Sequence, residues 1–211
     1  GKFRELFYKK FRLLTFCILF LNFMSNMLND GFALIVNLTL EEIDNSNILW
    51  DAITVIIFSM PSCFIAGVLS DIKWIGRKWC NFIGYLFLCL SLILAVVFPS
   101  KISLFLGLYN IFINFGNIVI VTYTSEIYPS KLRDLASSMG FTFSNLGSCS
   151  SQMIFIKLHQ LSTFSPYYFI IAVCLVCSMI SWILPYETYR RPLDCEFSDS
   201  QTEDKPEIEM K

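Results

Sequence analysis

The chain has 211 residues, 55% of them hydrophobic and 16% aromatic, with 21 Phe, only 16% charged and a formal net charge of -1. Soluble domains carry about 25% charged residues, so this composition excludes a water-soluble fold and equally a strongly basic nucleic-acid binder. The near-zero charge hides an asymmetry: Asp194 to Lys211 holds seven acids and two lysines, whereas Gly1 to Leu193 holds ten acids and fourteen basic residues.

Apolar stretches recur at about 13–38, 48–70, 80–98, 102–124, 135–157 and 166–184, each near the roughly 20 residues a helix needs to cross hydrocarbon. Lipid offers no partner to backbone N–H and C=O groups, so such runs are packed helices or strands of a closed barrel, and none alternates with the period of two that barrel strands show. The expectation is an all-α integral membrane bundle. A basic flank covers residues 1–12, six transmembrane helices fill 13–185, and an acidic tail runs from 186 to 211, with Phe197 its only aromatic past Asp194 and little else to bury. Such a tail is expected to be disordered and solvated. The first apolar run is too long for a cleavable signal peptide and has no small-residue cleavage pattern.

Basic residues flank membrane helices on the cytosolic side. Lys2, Arg4, Lys9, Lys10 and Arg12 precede the first span; Lys73, Arg77 and Lys78 lie between the second and third; Lys131 and Arg133 lie between the fourth and fifth; Arg190, Arg191, Lys205 and Lys211 follow the sixth. The opposite loops contribute only Lys101 and Lys157 to the basic count, and the first of them holds Glu41, Glu42, Asp44 and Asp51. Both termini are therefore expected in the cytosol. On this topology the sequon Asn37-Leu-Thr39 faces outward and is a candidate glycosylation site.

Cys17, Cys63, Cys80, Cys89, Cys149, Cys174 and Cys177 fall within apolar stretches, where a secreted-type disulfide framework is not expected. They read as small core or lipid-facing residues. Cys174-x-x-Cys177 has redox spacing but lacks the electropositive, exposed setting that activates a thiolate. His159 is the sole histidine and is expected at the surface of an outer loop beside Lys157. No Ser-His-Asp set, metal-ligand cluster or phosphate loop stands in the sequence, so no enzyme, cofactor or metal is expected.

Three strings carry a family signal. Gly67-Val-Leu-Ser-Asp71, followed by Gly76-Arg77-Lys78, resembles the loop between the second and third helices of each half in the major facilitator superfamily, with two extra residues before the second Gly. Small Gly67 suits close helix approach and Arg77 suits a helix end or a carboxylate. Tyr123-Thr-Ser-Glu126-Ile-Tyr-Pro129-Ser-Lys-Leu-Arg133 is similar to the Glu-x-Tyr-Pro-x-x-x-Arg signature of that superfamily's sugar and organic-ion transporters, and Leu184-Pro185-Tyr-Glu187-Thr188 to their Leu-Pro-Glu-Thr ending with Tyr186 inserted. Leu6-Phe7 and Arg12 resemble the approach to the seventh helix of the organic cation and anion branch. Across residues 3–193 the resemblance implies helices seven to twelve of a twelve-helix transporter: one six-helix half built as a 3+3 inverted repeat, whose missing N-terminal half supplies the other wall of a solute cavity. A start at Gly1 rather than Met fits that expectation of a fragment.

Polar residues inside the spans are spaced. Asn22, Asn26 and Asn29 follow an i, i+4, i+7 pattern in the first, and Asn110, Asn114 and Asn117 repeat it in the fourth, so each trio shares one helix face. Hydrogen-bonded helix packing and a wet solute path both account for such faces. The resemblance implies substrate-lining positions at Asn22, Asn26, Asn29, Asn117, Ile118, Phe141, Ser144 and Asn145. Asn145 stands where cation transporters of this branch carry Asp and many anion-type members Arg, and Asn110 where several anion-type members carry Lys or Arg. Asp30, deep in the first span, reads as a hydrated interfacial acid or as a coupling site for a cation or proton. Asp71, Arg77, Glu126, Arg133 and Glu187 are implied as a cytosolic charge latch that breaks when the transporter opens inward. The expected function is alternating-access transport of small organic ions across a lipid bilayer, the plasma membrane by resemblance. A sugar or polyol porter is the nearest alternative, and a non-transporting receptor or scaffold a more distant one.

Overall fold

A computed structural model of the chain describes residues 6–7, 12–43, 53, 57–58, 60–70, 76–98 and 102–184, with the side chains of residues 37, 39–43, 63, 69–70, 76–77, 102–103 and 130 left aside. Asp71 and Glu187 lie outside the described residues, as do the side chains of Arg77 and Asn37. Six helices account for nearly all of what is described: α1 (Arg12–Ile43), α2 (Met60–Ser70), α3 (Gly76–Val97), α4 (Ile102–Ile127), α5 (Ser130–Leu161) and α6 (Ser165–Ile183). Among the described residues there is no strand.

Helix ends follow local chemistry. Pro129 cannot continue α4 and precedes the first residue of α5, where its missing N–H costs nothing. Pro166 occupies the first turn of α6 for the same reason. α1, with 32 residues, spans roughly 48 Å at 1.5 Å per residue, more than the hydrocarbon thickness, so it extends past the membrane at one end or both. Four stretches, Arg12–Val36, Lys78–Val97, Leu104–Ile127 and Ser165–Ile183, are long and apolar enough to cross a bilayer. α5 is equally long but too polar to meet that measure, because Ser137, Ser138, Thr142, Ser144, Asn145, Ser148, Ser150, Ser151 and Gln152 interrupt it.

Helix directions follow from pairs that touch. Between α1 and α5, Asn22 meets Gly140, Phe23 meets Gly147 and Gly31 meets Phe155; the numbers rise together, so these helices run parallel. Between α1 and α4, Ser25 meets Asn117 and Phe32 stacks near Tyr109 at 3.9 Å; one number falls as the other rises, so they are antiparallel. α3 is antiparallel to α4 through Phe87 and Phe112, 5.1 Å apart and stacked, and through Gly84 and Phe115. It is antiparallel to α6 through Asn81 and Ser181 and through Cys89 and Ile171. Odd helices thus run one way, and α4 and α6 the other.

α1 lies at the centre. Its Leu14, Ile18, Leu21, Leu28, Phe32 and Ile35 join Tyr85, Leu88 and Leu92 of α3, Leu106, Tyr109 and Ile113 of α4, Phe155 of α5 and Ile170, Cys174 and Cys177 of α6 in one core. A smaller core of Ala66, Cys80, Phe115 and Val119 fixes α2 against α3 and α4. The close approach of α1 and α5 depends on two glycines. A methyl at Gly147 would press on the Phe23 carbonyl, and one at Gly31 would overlap the Phe155 ring. At Gly67, where close approach was expected, a methyl would meet nothing within 4 Å among the described residues, because α2 presents that face outward.

The outer surface is apolar. On α3, Trp79, Ile83, Leu86, Leu90, Ile93 and Val97 form one exposed stripe, and Leu175, Val176, Met179 and Trp182 do the same on α6. In water such a surface is an aggregation liability, whereas in a bilayer it is solvated by acyl chains. His159 departs from its expected position: it sits within the last turn of α5 and is half-buried rather than in a surface loop, because α5 continues helical to Leu161.

Candidate functional site

A polar seam crosses the core where α1, α4 and α5 meet. Asn22 Nδ2 donates to the Ile18 carbonyl at 2.9 Å, and Asn26 Nδ2 to the Asn22 carbonyl at 3.3 Å and to Ser144 Oγ at 2.9 Å. Ser144 Oγ in turn donates toward the Asn22 carbonyl at 3.4 Å. On the other side of α1, Ser25 Oγ donates to Asn117 Oδ1, with the buried Tyr85 phenol beside Ser25. Asn22, Asn117 and Ser144 each lie ten to fourteen residues from the helix ends at Arg12, Ile127 and Ser130. At 1.5 Å per residue that is roughly 15 to 21 Å, the middle of a bilayer core. In lipid, a polar side chain finds either a neighbouring helix or a water-filled cavity; here Asn22 and Ser144 are buried between helices, whereas Asn26 and Asn117 are half-exposed.

On α4 the amide pattern continues outward. Asn114 Nδ2 donates to the Asn110 carbonyl at 2.8 Å and to its Oδ1 at 2.6 Å. Asn110, Asn114, Asn117 and Ile118 are all half-exposed, so this face is open in the chain by itself. Asn29 and Asp30 are half-exposed on α1. Phe141 and Asn145 are exposed on α5, and Asn145 is turned from the seam, since neighbouring residues point about 100° apart and Ser144 takes the inward position. Ile118 packs on the smaller core. The eight expected lining positions therefore fall into an inner group, Asn22, Asn26, Asn117 and Ser144, and an outer group of Phe141 and Asn145, with Asn29 and Ile118 on half-open faces.

α5 carries a second polar surface. Lys131, Asp134, Ser138, Thr142, Asn145, Cys149 and Gln152 are exposed and recur every three or four residues, so they line one face. That stripe adds to the polarity by which α5, alone among the long helices, falls short of the hydropathy of the four apolar spans.

At the α4–α5 turn, Glu126 and Arg133 are both half-buried. Arg133 Nε and Nη2 are buried and have no hydrogen-bond partner among the described residues. The turn also contains a contact that the sequence did not announce. Tyr128 Oη donates to Thr15 Oγ1 at 2.9 Å, and Thr15 Oγ1 donates to the Leu6 carbonyl at 3.1 Å. Burial pushes the Tyr128 phenol up to about 12, against a smaller downward pull from the hydrogen bond with Thr15. The start of α1 is thereby tied to the turn that carries Glu126, Pro129 and Arg133. Ser25, Thr15, and the pair Asn81 and Ser181, joined at 3.2 Å between α3 and α6, were also unforeseen. Single hydroxyls in apolar runs carry no periodic signal, but Tyr128, inside the Glu126 to Arg133 string, could have been found there.

A bundle of antiparallel, lipid-faced helices with amides at mid-depth defines a polytopic membrane protein with a polar interior. The profile of the Major Facilitator Superfamily matches residues 14–202, and the chain belongs to that superfamily. It is 33% identical over 85 residues to solute carrier family 22 member 16 of Bos taurus, a match covering 40% of this chain and 14% of that protein. It is 32% identical over 137 residues to an uncharacterised MFS-type transporter of Schizosaccharomyces pombe, covering 61% of this chain and 23% of that protein. The chain thus spans less than a quarter of the length of these curated relatives.

Proposed function

We propose that the chain forms the C-terminal six-helix half, helices seven to twelve, of an alternating-access transporter for small organic solutes of the organic cation and anion branch. The short matched share of its relatives and the solute carrier family 22 likeness support that assignment. The observation that carries it is the pair of polar surfaces at membrane depth, the half-open asparagine face of α4 and the exposed stripe of α5. Neither is suited to lipid, and both fit a water-filled path completed by an N-terminal half.

In this reading Asn26, Asn29, Asn117, Ile118, Phe141 and Asn145 line the path, and Asn22 and Ser144 hold α1 and α5 in register behind it. With Asn at 145, this half supplies no fixed charge there, so a singly charged ion is selected elsewhere, by Asp30 or by the N-terminal half. Glu126 and Arg133, with Asp71, Arg77 and Glu187, form the cytosolic latch, and both termini face the cytosol of a plasma-membrane protein. The unpartnered buried nitrogens of Arg133 favour a carboxylate partner from outside the described residues.

Uptake by the full-length protein, reconstituted in proteoliposomes and screened with organic cations, organic anions and sugars, tests the reading. Saturable uptake of an organic ion, altered in affinity by Asn145→Asp, is expected. Uptake of sugars alone would move the chain to the sugar and polyol porters, which a neutral amide-rich wall also suits. Absence of all uptake by a correctly inserted protein would leave the receptor or scaffold reading.

A further inference from the structure

An asparagine amide has a donating nitrogen and an accepting oxygen, and the fold uses the two ends unequally. Asn26 Nδ2 is engaged twice, by the Asn22 carbonyl at 3.3 Å and by Ser144 Oγ at 2.9 Å. Asn114 Nδ2 is also engaged twice, by the Asn110 carbonyl at 2.8 Å and by Asn110 Oδ1 at 2.6 Å. A backbone carbonyl only accepts, so its partner in each residue is the nitrogen and the oxygen is the end left over. Neither Oδ1 receives a hydrogen bond among the described residues, and neither is one of the buried unpaired polar atoms, so both oxygens are accessible on their half-exposed residues.

The surroundings have the same bias. Asp30 follows Asn26 by four residues, so it shares that face of α1; it is half-exposed and has no partner among the described residues. An ionised carboxylate only accepts. Asn29, likewise unpartnered there, can present either end. Asn117 is the exception, because its Oδ1 accepts from Ser25 and its Nδ2 is the end left over. That contact sets Asn26 and Asn117 at one depth, and Asn114 lies three residues, about 4.5 Å, along α4 from Asn117. Residues 13–43, 102–127 and 135–156 contain no Lys, Arg or His, so at this depth α1, α4 and α5 offer accessible oxygens, one acid and no cation.

We infer that this wall selects its solute by N–H donors, taking a protonated primary amine or a guanidinium in preference to a quaternary ammonium of the same skeleton, and either in preference to an organic anion. The inference rests on the transport reading above and names the solute class of that path. A primary ammonium brings three N–H groups and a substituted guanidinium five, and Asn26 Oδ1, Asn114 Oδ1 and Asp30 are placed to accept them. A trimethylammonium carries the same charge but no N–H, so it leaves dehydrated oxygens unpaired, and that loss discriminates more strongly than shape does. A carboxylate would set oxygen against oxygen, with the Asn117 and Asn29 nitrogens as its donors. Asn117 Nδ2 instead suits a single hydroxyl or carbonyl oxygen on the cation.

The test compares compounds on one skeleton, phenethylguanidinium, phenethylammonium, phenethyltrimethylammonium and 3-phenylpropanoate, by calorimetric titration of the full-length protein in detergent. The first two are expected to bind at least about tenfold more tightly than the trimethylammonium, and the carboxylate most weakly. Asn114→Leu breaks side-chain bonds only within α4. It should lower the ratio of ammonium to trimethylammonium affinity by about fivefold or more and leave the trimethylammonium affinity in place, whereas Asn114→Asp should keep the ratio. Equal affinity for ammonium and trimethylammonium, tighter binding of the carboxylate, or a ratio unchanged in Asn114→Leu would overturn the inference and leave organic-ion transport standing. If Asn114→Leu does not fold, the ranking of the compounds by the parent protein decides alone. Folded protein that binds none of them would remove the organic-ion reading itself, and the inference with it.

Discussion

Gly147→Ala places the sharpest demand on the packing of α1 against α5. The new methyl would sit 3.0 Å from the Phe23 carbonyl carbon, closer still to its oxygen, and 3.3 Å from the Met27 nitrogen. Carbon contacts are comfortable at about 3.5–4.0 Å, so the two helices must part by about half an ångström or more, and the obstacle is backbone rather than a side chain that can rotate. Overpacking of this kind costs about 1–3 kcal/mol. At roughly 2–4 °C per kcal/mol for a chain of this size, thermal unfolding in detergent should fall by about 2–12 °C. The same parting stretches the 2.9 Å bond from Asn26 to Ser144, four residues along α1 from Asn22, so uptake by the full-length protein should fall as well. Gly67→Ala is the control, since its methyl meets nothing within 4 Å among the described residues, and it should hold or raise the midpoint, because Ala is the better helix former by up to about 1 kcal/mol. A Gly147→Ala midpoint within about 1 °C of the parent would refute the close approach, given about 2–4 °C expected per kcal/mol.

Tyr128→Phe removes the donor to Thr15 Oγ1 and should cost about 0.5–1.5 kcal/mol. Because the folded phenol lies near 12 rather than the ordinary 10, the unfolded state loses its proton first. Its contribution is full below pH 10 and disappears as pH rises through about 12, so denaturation curves between those values should be flatter in the variant; identical slopes would contradict the buried phenol. A double-mutant cycle on Asn26→Ala and Ser144→Ala should return a coupling of about 0.6 kcal/mol, and none would mean that their 2.9 Å contact adds nothing. Asn81 Oδ1 has no partner among the described residues while its Nδ2 reaches Ser181. Ser181→Ala alone should therefore destabilise, whereas Asn81→Leu with Ser181→Ala should recover or exceed the parent, since removing both buried polar groups removes the desolvation cost as well; a double variant weaker than the single one would count against this. Cys149 lies on the exposed stripe of α5. In full-length protein with its other reactive cysteines replaced, a charged, membrane-impermeant maleimide should label it and solute should slow the labelling, whereas reaction only with a lipid-soluble maleimide would place the stripe against lipid.

Hydropathy made the helices legible because it is summed over about twenty residues, and errors at single positions cancel. It failed to show that α5 runs to Leu161 and holds His159, since Lys157 and His159 read as a loop when periodicity is judged by polarity alone. The amide faces were legible through spacing. Asn22 and Asn26 do share a face and bond to each other through the helix, as do Asn110 and Asn114. What spacing could not reveal is which helix each face meets, and so the partners Ser25 and Ser144 required the fold. The division between Ser144, turned inward, and Asn145, turned outward, is likewise set by how α5 is rotated about its axis, a quantity that one polar helix with no strong apolar stripe does not encode.

That weak stripe on α5 carries a further consequence. An amphipathic helix is oriented by the contrast between its faces. α5 has two polar faces, one filled by Asn22 and Asn26 and one open along Ser138, Thr142, Asn145 and Gln152. Its rotation is therefore fixed by contact rather than by hydropathy: Gly147 lets α1 approach, and Phe155 fills the space at Gly31. With α1 on one side, the open stripe has only lipid, water or another protein segment left to meet. Ser138 and Thr142 donate to the Asp134 and Ser138 carbonyls at 2.7 and 2.9 Å, so in hydrocarbon the cost falls on the Asn145 and Gln152 amides, a few kcal/mol for each left unpaired, against about 0.6 kcal/mol per bond in the seam. A polar surface lying against that stripe would lift this cost, and the second half proposed above would supply one.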